Sequence, residues 1–291
     1  MVGTVRAFCP GHISGYFRRV QGELCSGAGS IGAGIVVSEG VTASVVKADT
    51  PHVTIRRIHG NANDNSVIQD EFQGSPPIEY IMEKLEISAE VITECRLPIS
   101  AGFGMSAAAL LSSITAMNAL FGLSLSVEDI ASLAHEAEIV HRTGLGDVAA
   151  CKNGGLVCRT GQGINTKITR LYGITEPISA VNFGPMNTAD VLDSDDIMKI
   201  IENAYSSECP KDIYHFFQLS RDFAEKSGLI SENVNTALAA CDAEGIPASM
   251  TMLGDGLFAY GERSIDVLSR FGEVFVMKTA ETGFHLLEEI P

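Results

Sequence analysis

Two runs of this chain carry residue types that can do chemistry. The first is Pro98-Ile-Ser-Ala-Gly102-Phe-Gly104-Met-Ser106-Ala-Ala-Ala109. Glycines at 102 and 104 let the backbone adopt positive φ and approach a ligand closely. The small residues that follow begin a helix whose free N–H groups face back towards the loop. Such a cradle binds phosphate through backbone dipoles, without a basic side chain. Ser106, in the first turn, offers a hydroxyl where a Mg²⁺ ion bridging phosphate oxygens needs an oxygen ligand. There is no GxxxxGK[ST] run, and Ala107 occupies the third glycine position of GxGxxG, so neither of those nucleotide motifs is present. Taken alone, the run also fits a glycine turn ahead of a tightly packed helix.

The second run is His135-Glu-Ala-Glu138-Ile-Val-His141-Arg-Thr-Gly144-Leu-Gly146-Asp147-Val-Ala-Ala150. Phosphoryl transfer to an alcohol needs a cation for the developing charge and an anion near the attacking hydroxyl. Glu138 on a helix and Asp147 in a glycine-flanked turn supply both kinds of carboxylate. His135, Glu138 and Arg142 fall along one helix face, which also fits a solvated polar stripe. Glu136 points about 160° around the helix from Glu138, since two residues turn about 200° at ideal pitch. It is the weaker ligand of the two.

These runs resemble the GHMP kinases, the family of galactokinase, homoserine kinase, mevalonate kinase and phosphomevalonate kinase. The family signature P-x-x-x-G-[LF]-G-S-S-A-A falls on Pro98 to Ala108, with Met105 in place of its first serine. The resemblance implies ATP as donor, its triphosphate on Pro98, Ala101, Gly102, Phe103, Gly104, Met105, Ser106 and Ala107. It implies Mg²⁺ on Ser106 and Glu138. Gly144 to Ala150 resembles the G-x-G-x-D-V-A-A of phosphomevalonate kinases. Asp147 is thereby implied as catalytic base or substrate-orienting carboxylate, beside Glu138 and Ser106 as the other catalytic residues. The outer motifs are looser. Cys9-Pro-Gly-His12 stands where the family's P-G-K/R motif belongs, and Met252-Leu-Gly-Asp-Gly256 where its C-terminal glycine motif belongs. The order of the motifs matches across essentially the whole chain. The implied fold is α+β and two-lobed. Residues 1–165 form an ATP-binding lobe like domain 2 of ribosomal protein S5, and residues 166–291 a ferredoxin-like α/β lobe.

Within the family, AFCPGHISGYF, ISAGFGMSAA and RTGLGDVAA are similar to the archaeal pantoate kinases of coenzyme A synthesis. Those enzymes convert pantoate and ATP to 4-phosphopantoate and ADP. That resemblance implies Ser30, His135, Arg159 and Thr188 as contacts to the acceptor. Their plainer readings are a turn serine, a core histidine, a surface arginine and a helix cap. Arg159 is the residue able to offer a bidentate guanidinium to a carboxylate. Other acceptors of the family (homoserine, shikimate, a mevalonate derivative) stay open, as does a nucleotide-binding sensor without turnover. A sensor would be expected to have lost one of Ser106, Glu138 and Asp147, and all three are present. Dimers are common in the family, so a homodimer is compatible.

The elements that must position these residues read as mixed strands and helices without strict β-α alternation, which points to α+β. A strand is expected from Val2 to Cys9, ending in a turn at Pro10-Gly11, then a glycine-rich loop over 27–34. Ile35 to Val46 reads as a long strand with His52 to Ile58 as its hairpin partner. Helices are expected over 76–84, 105–120 and from Ser126, whose apolar Ile130, Leu133, Ala134, Ala137 and Val140 should face the core until Gly144 and Gly146 end it. Beyond residue 166 the order is strand, three helices (from about 189, 213 and 233), two strands, a helix and a strand.

A chain of 291 residues exceeds what one core usually absorbs. Its formal net charge of −16 makes nucleic acid and anionic membranes poor partners. The uncharged stretch Leu97 to Val127 is long enough to span a bilayer, but Pro98, its glycines and its serines favour a glycine loop feeding a buried helix. No signal-peptide core opens the sequence. Seven scattered cysteines without a CxxC read as buried thiols of a reducing cytoplasm rather than a disulfide or metal framework.

Overall fold

The computed structural model describes residues 3–20, 22, 28–61, 64–161, 163–184 and 194–287. It is an α+β chain built on two sheets. The larger takes β1 (Val5–Val20), β2 (Gly29–Lys47), β3 (His52–Asn61), β4 (Asp64–Gln73), β5 (Ala89–Cys95), β6 (Leu156–Arg159), β7 (Ile168–Leu171) and β12 (His285–Leu286). Its strands run in the order β12-β1-β2-β5-β3-β4, with the β6–β7 hairpin attached to β2. The smaller sheet, in the order β11-β8-β10-β9, takes β8 (Ile178–Gly184), β9 (Ala248–Met250), β10 (Asp255–Tyr260) and β11 (Phe275–Met277). The larger sheet therefore draws β7 and β12 from beyond residue 165. The division into two lobes near that residue remains a proposal.

Long β2 organises the first sheet. Its C-terminal half, Val41 to Lys47, pairs with β5, and its N-terminal half, Gly32 to Ile35, pairs with β6. One strand thus lies beside both the strand that leads into the 98–104 loop and the strand that ends in Arg159. Against the sheet pack α1 (Pro76–Lys84) and α2 (Met105–Phe121), α3 (Val127–His141) packs on them, and the short α4 (Asp147–Cys151) lies against β1 and β2. Helix α2 carries no charge and is buried on most of its circumference, which accounts for the uncharged stretch. Among the described residues no helix is long and apolar enough to cross a membrane.

Helix α5 (Asp195–Ala204) packs on β1 and on α6 (Ile213–Ser227), while the second sheet is covered by α6, α7 (Glu232–Ala243) and α8 (Arg263–Leu268). Helix α6 also lies on β1, where Phe223 meets Tyr16 and Phe17 with ring centroids 6.5 and 5.9 Å apart. Aromatic pairs of this kind bury large area and fix relative orientation.

Several local expectations change. Pro10-Gly11 is no turn. β1 runs straight through it, with a bulge between Pro10 and Gly11 opposite Gly40. Proline has no N–H for the ladder, so the bulge absorbs it. Residues 29–34 of the expected glycine loop belong to β2, so Ser30 sits on a strand. The hairpin partner of β3 is β4, and β5 separates β3 from β2. The polar edge strand β4 lacked the apolar alternation that marks a half-buried strand.

Helix α3 ends at His141 with Arg142 in the left-handed region (φ 54°), before Gly144 is reached. Its Ser126–Asp129 capping box forms as expected, but Val140 faces solvent. Among the cysteines, Cys9, Cys95, Cys151 and Cys241 are buried thiols. Cys158 on β6 instead forms a disulfide with Cys209, their Cα atoms 5.7 Å apart. A separation of 51 residues carries no spacing signal. The fold alone brings the two together. Thr188, Cys25 and the start of the helix expected from 189 lie outside the described residues.

Candidate active site

Residues 98–104 form a loop with Ser100, Gly102 and Gly104 all at positive φ (58°, 81° and 68°), and 105–109 open α2. Gly104 is the N-cap of α2, and the first intrahelical bond runs from Ala108 N to its carbonyl at 3.1 Å. The amides of the first turn, among them that of Ser106, therefore have no intrahelical acceptor. Two neighbours hold the loop. His12 N donates to Phe103 O at 2.9 Å, tying it to β1. On the other side, a Cβ on Gly254 would strike Ala101 O, so the 252–256 turn sits directly on the loop.

Ala101, Gly102, Phe103, Gly104, Met105 and Ser106 all line a cavity of about 690 Å³. Pro98 and Ala107 are buried behind it. Much of the lining is apolar, with Val41, Ile55, Pro76 and Ile78 beside Thr93 and Cys95 of β5. Thr143, Gly144 and Asp147 line it too. The sequence pointed to the loop and to Asp147. The apolar part of the lining is assembled from β2, β3, α1 and β5, and no local motif marks it.

Asp147 is the first residue of α4, and its side chain is 24% exposed at the cavity. Its Oδ1 accepts from His12 Nδ1 at 2.6 Å. A carboxylate can only accept here, so the proton sits on Nδ1. Burial works against charge on Asp147, but the His12 hydrogen bond and the nearby Arg159 outweigh it and hold the carboxyl below its ordinary range. Burial likewise lowers His12, against the pull of Asp147. His12 was not among the expected site residues. Its signal was its place in the first motif, where the family carries a basic residue. Gly34 makes room for it, since a side chain there would collide with the imidazole.

Glu138, Arg159, Ser30 and His135 form a buried polar layer that does not reach the cavity wall. Glu138 is 0% exposed, and neither carboxylate oxygen has a hydrogen-bond partner among the described residues. Burial, then repulsion from Asp147, raises it well above the ordinary carboxylate range despite Arg159. Its carboxyl lies directly behind Gly144, where any side chain would run into it. Arg159, 4% exposed, donates from Nη1 to Gly146 O and from Nη2 to Ser30 Oγ at 3.0 Å. His135 Nε2 lies 3.0 Å from Ala28 O. Glu136 points outward instead, accepting from Tyr80 Oη at 2.6 Å and from Lys84.

An orphaned buried carboxyl behind Gly144 of the cavity lining fits a hard divalent cation, which takes oxygen donors and neutralises charge. Among the described residues no cluster of three or more His, Cys, Asp or Glu could hold a metal unaided. Glu138 and Ser106 would share such an ion with ligand phosphates, as Mg²⁺ does in phosphoryl-transfer sites.

Residues 75–155 match the family model of the GHMP kinases N-terminal domain. The chain is 44% identical to a pantoate kinase of Methanospirillum hungatei over 280 residues, covering 96% of this chain and 95% of that protein. It is 32% identical to a pantoate kinase of Thermococcus kodakarensis, covering 88% of this chain and 87% of the relative. Among solved structures, one described as a phosphotransferase related to the CoA biosynthesis pathway superposes with a TM-score of 0.78 at 26% identity. The match covers 97% of this chain and 98% of that one. The family-model match, near-full-length relatives of one kind and the structural neighbour agree: the chain belongs to the GHMP kinases and, within them, to the pantoate kinase family, phosphotransferases acting on an alcohol.

Proposed function

We propose that this protein transfers the γ-phosphoryl group of ATP to the primary hydroxyl of pantoate, giving 4-phosphopantoate and ADP for coenzyme A synthesis. The observation that carries the chemistry is Asp147, kept anionic by His12 in the lining of the cavity that holds the phosphate loop. The acceptor is supported by the identity to pantoate kinases along nearly the whole chain.

In this reading the base of ATP lies against the apolar part of the lining and the triphosphate lies on residues 101–106. The acceptor hydroxyl enters beside Asp147. As its oxygen bonds to the γ-phosphorus, the bond from that phosphorus to the bridging oxygen breaks. The hydroxyl proton passes to Asp147 and the electron pair leaves on ADP. His12 holds the aspartate in line, and the first-turn amides of α2 stabilise charge on the phosphate oxygens. A Mg²⁺ ion held by Ser106 and Glu138 would neutralise further charge there. A net charge of −16 disfavours nucleic acid and anionic membranes as partners, and the proposal places the enzyme in the cytoplasm. A homodimer remains compatible.

Ser30, His135 and Arg159 are the proposed acceptor contacts, together with Thr188. Arg159 is the buried cation nearest Asp147 in this group, suited to the pantoate carboxylate. Hydrogen bonds to charged groups contribute about 1.5–3 kcal/mol, so Arg159→Ala should raise the pantoate KM roughly tenfold to a hundredfold. The ATP KM should stay within about threefold of wild type by the same reasoning. Steady-state kinetics with each substrate varied in turn checks this, and an unchanged pantoate KM would remove Arg159 from the acceptor site.

The acceptor itself is tested by following ADP release with Mg·ATP and pantoate, pantothenate, homoserine, shikimate, mevalonate and phosphomevalonate in parallel. Turnover with pantoate alone is expected. Turnover with another alcohol would keep the kinase and discard the substrate. Nucleotide binding without any turnover would favour a sensor.

A further inference from the structure

The five-residue helix that presents Asp147 is too short to hold itself. Isolated helices below about 12–15 residues are marginal in water, and this one has no side-chain cap at its start. Both of its ends are instead held by arginines from one β-hairpin. In the β6–β7 pairing, Arg159 lies opposite Ile168, and Arg170 lies opposite Val157. Arg159 takes the carbonyl of Gly146, the N-cap of α4. Arg170 takes the other end. Its Nη1, whose two hydrogens are shared among three acceptors, lies 2.9, 2.9 and 2.7 Å from the carbonyls of Ala150, Asn153 and Gly154, and its Nη2 donates to Ala149 at 3.2 Å.

The final carbonyls of a helix have no intrahelical donor, and a cation there also complements the helix dipole. One guanidinium thus satisfies the last turn of α4 and the turn that follows, using the planar fork that lysine lacks. Nothing in this arrangement touches the cavity, whose lining does not include Arg170.

We propose that Arg170 is a positioning residue for Asp147, fixing α4 as a rigid unit so that the carboxylate stays in line with the phosphate loop. This rests on reading Asp147 as the group that receives the hydroxyl proton. A displacement of about 1 Å can cost on the order of a hundredfold in rate. Arg170 variants should therefore lose kcat while both KM values hold.

The test compares Arg170→Met, Arg170→Lys, Asp147→Asn and the double variant Asp147→Asn/Arg170→Met. Arg221→Met serves as control, because Arg221 bridges Glu225 and Asp242 on α6 and α7. Kinetics with pantoate are read beside thermal unfolding and ATP titration. Arg170→Met should lower kcat about thirty- to a hundredfold, with KM for ATP and pantoate within about threefold. Arg170→Lys should recover part of that loss, and Arg221→Met should keep wild-type kcat.

The double variant should be no slower than Asp147→Asn alone, since a residue acting through Asp147 has nothing left to position. Independent, multiplied losses would make Arg170 merely structural, and so would wild-type kcat in Arg170→Met. Should Arg170→Met fail to fold, Arg170→Lys decides: unimpaired kcat there overturns the proposal. Unimpaired kcat in Asp147→Asn would instead sink the underlying reading of Asp147, whatever Arg170 does.

Discussion

Asp147→Asn is expected to lower kcat about a hundred- to ten-thousandfold while ATP affinity stays within about threefold, because general base catalysis contributes of that order. The substitution preserves shape. The introduced amide would still accept from His12 Nδ1 through its oxygen, so α4 and the 2.6 Å contact can persist. What is lost is a group that can take a proton, together with a negative charge facing the hydroxyl. ATP, on this account, is held by backbone amides of the 101–106 loop and by the apolar wall of β2, β3 and β5, none of which the substitution touches. Single-turnover rates and nucleotide titration separate the two effects. Parallel loss of turnover and ATP affinity would show that Asp147 organises the binding site rather than the reaction.

Glu138→Met should make the protein more stable and far less active. A fully buried carboxyl with neither oxygen partnered costs about 1–3 kcal/mol on mutational scales. An apolar side chain of similar length removes that cost, so the metal-free protein should gain about that much in denaturant unfolding. Activity should fall about a hundred- to a thousandfold, the usual loss when one group stabilising transition-state charge is removed. Glu138→Gln, which keeps the shape, should be as inactive, which assigns the loss to charge rather than packing. A stabilised variant with wild-type turnover would exclude Glu138 from the reaction.

The central residues were legible because their chemistry is local. Gly102, Gly104 and Ser106 sit within five positions of one another, and the positive φ expected of both glycines is found. The capping box at Ser126 and the strand over 89–95 were equally readable from short-range pattern. What escaped depends on strands distant in sequence. His12 meets Asp147 across 135 residues, on a β1 that proline and glycine disguised as two pieces. Ser30 looked like loop because the glycines of β2 admit close neighbours, Gly32 the β1 backbone at Tyr16 and Gly34 the His12 ring, rather than mark a turn. The apolar wall of the cavity and the Cys158–Cys209 disulfide arise only when β5 inserts beside β2 and β6 folds back on it.

The most direct measurement is the identity of the product. The purified protein would be incubated with Mg·ATP and pantoate, and the mixture followed by phosphorus NMR and mass spectrometry. The account predicts one phosphomonoester on the primary hydroxyl of pantoate, formed in step with ADP. ADP accumulating while pantoate stays unphosphorylated, or phosphate appearing on another position, would contradict it.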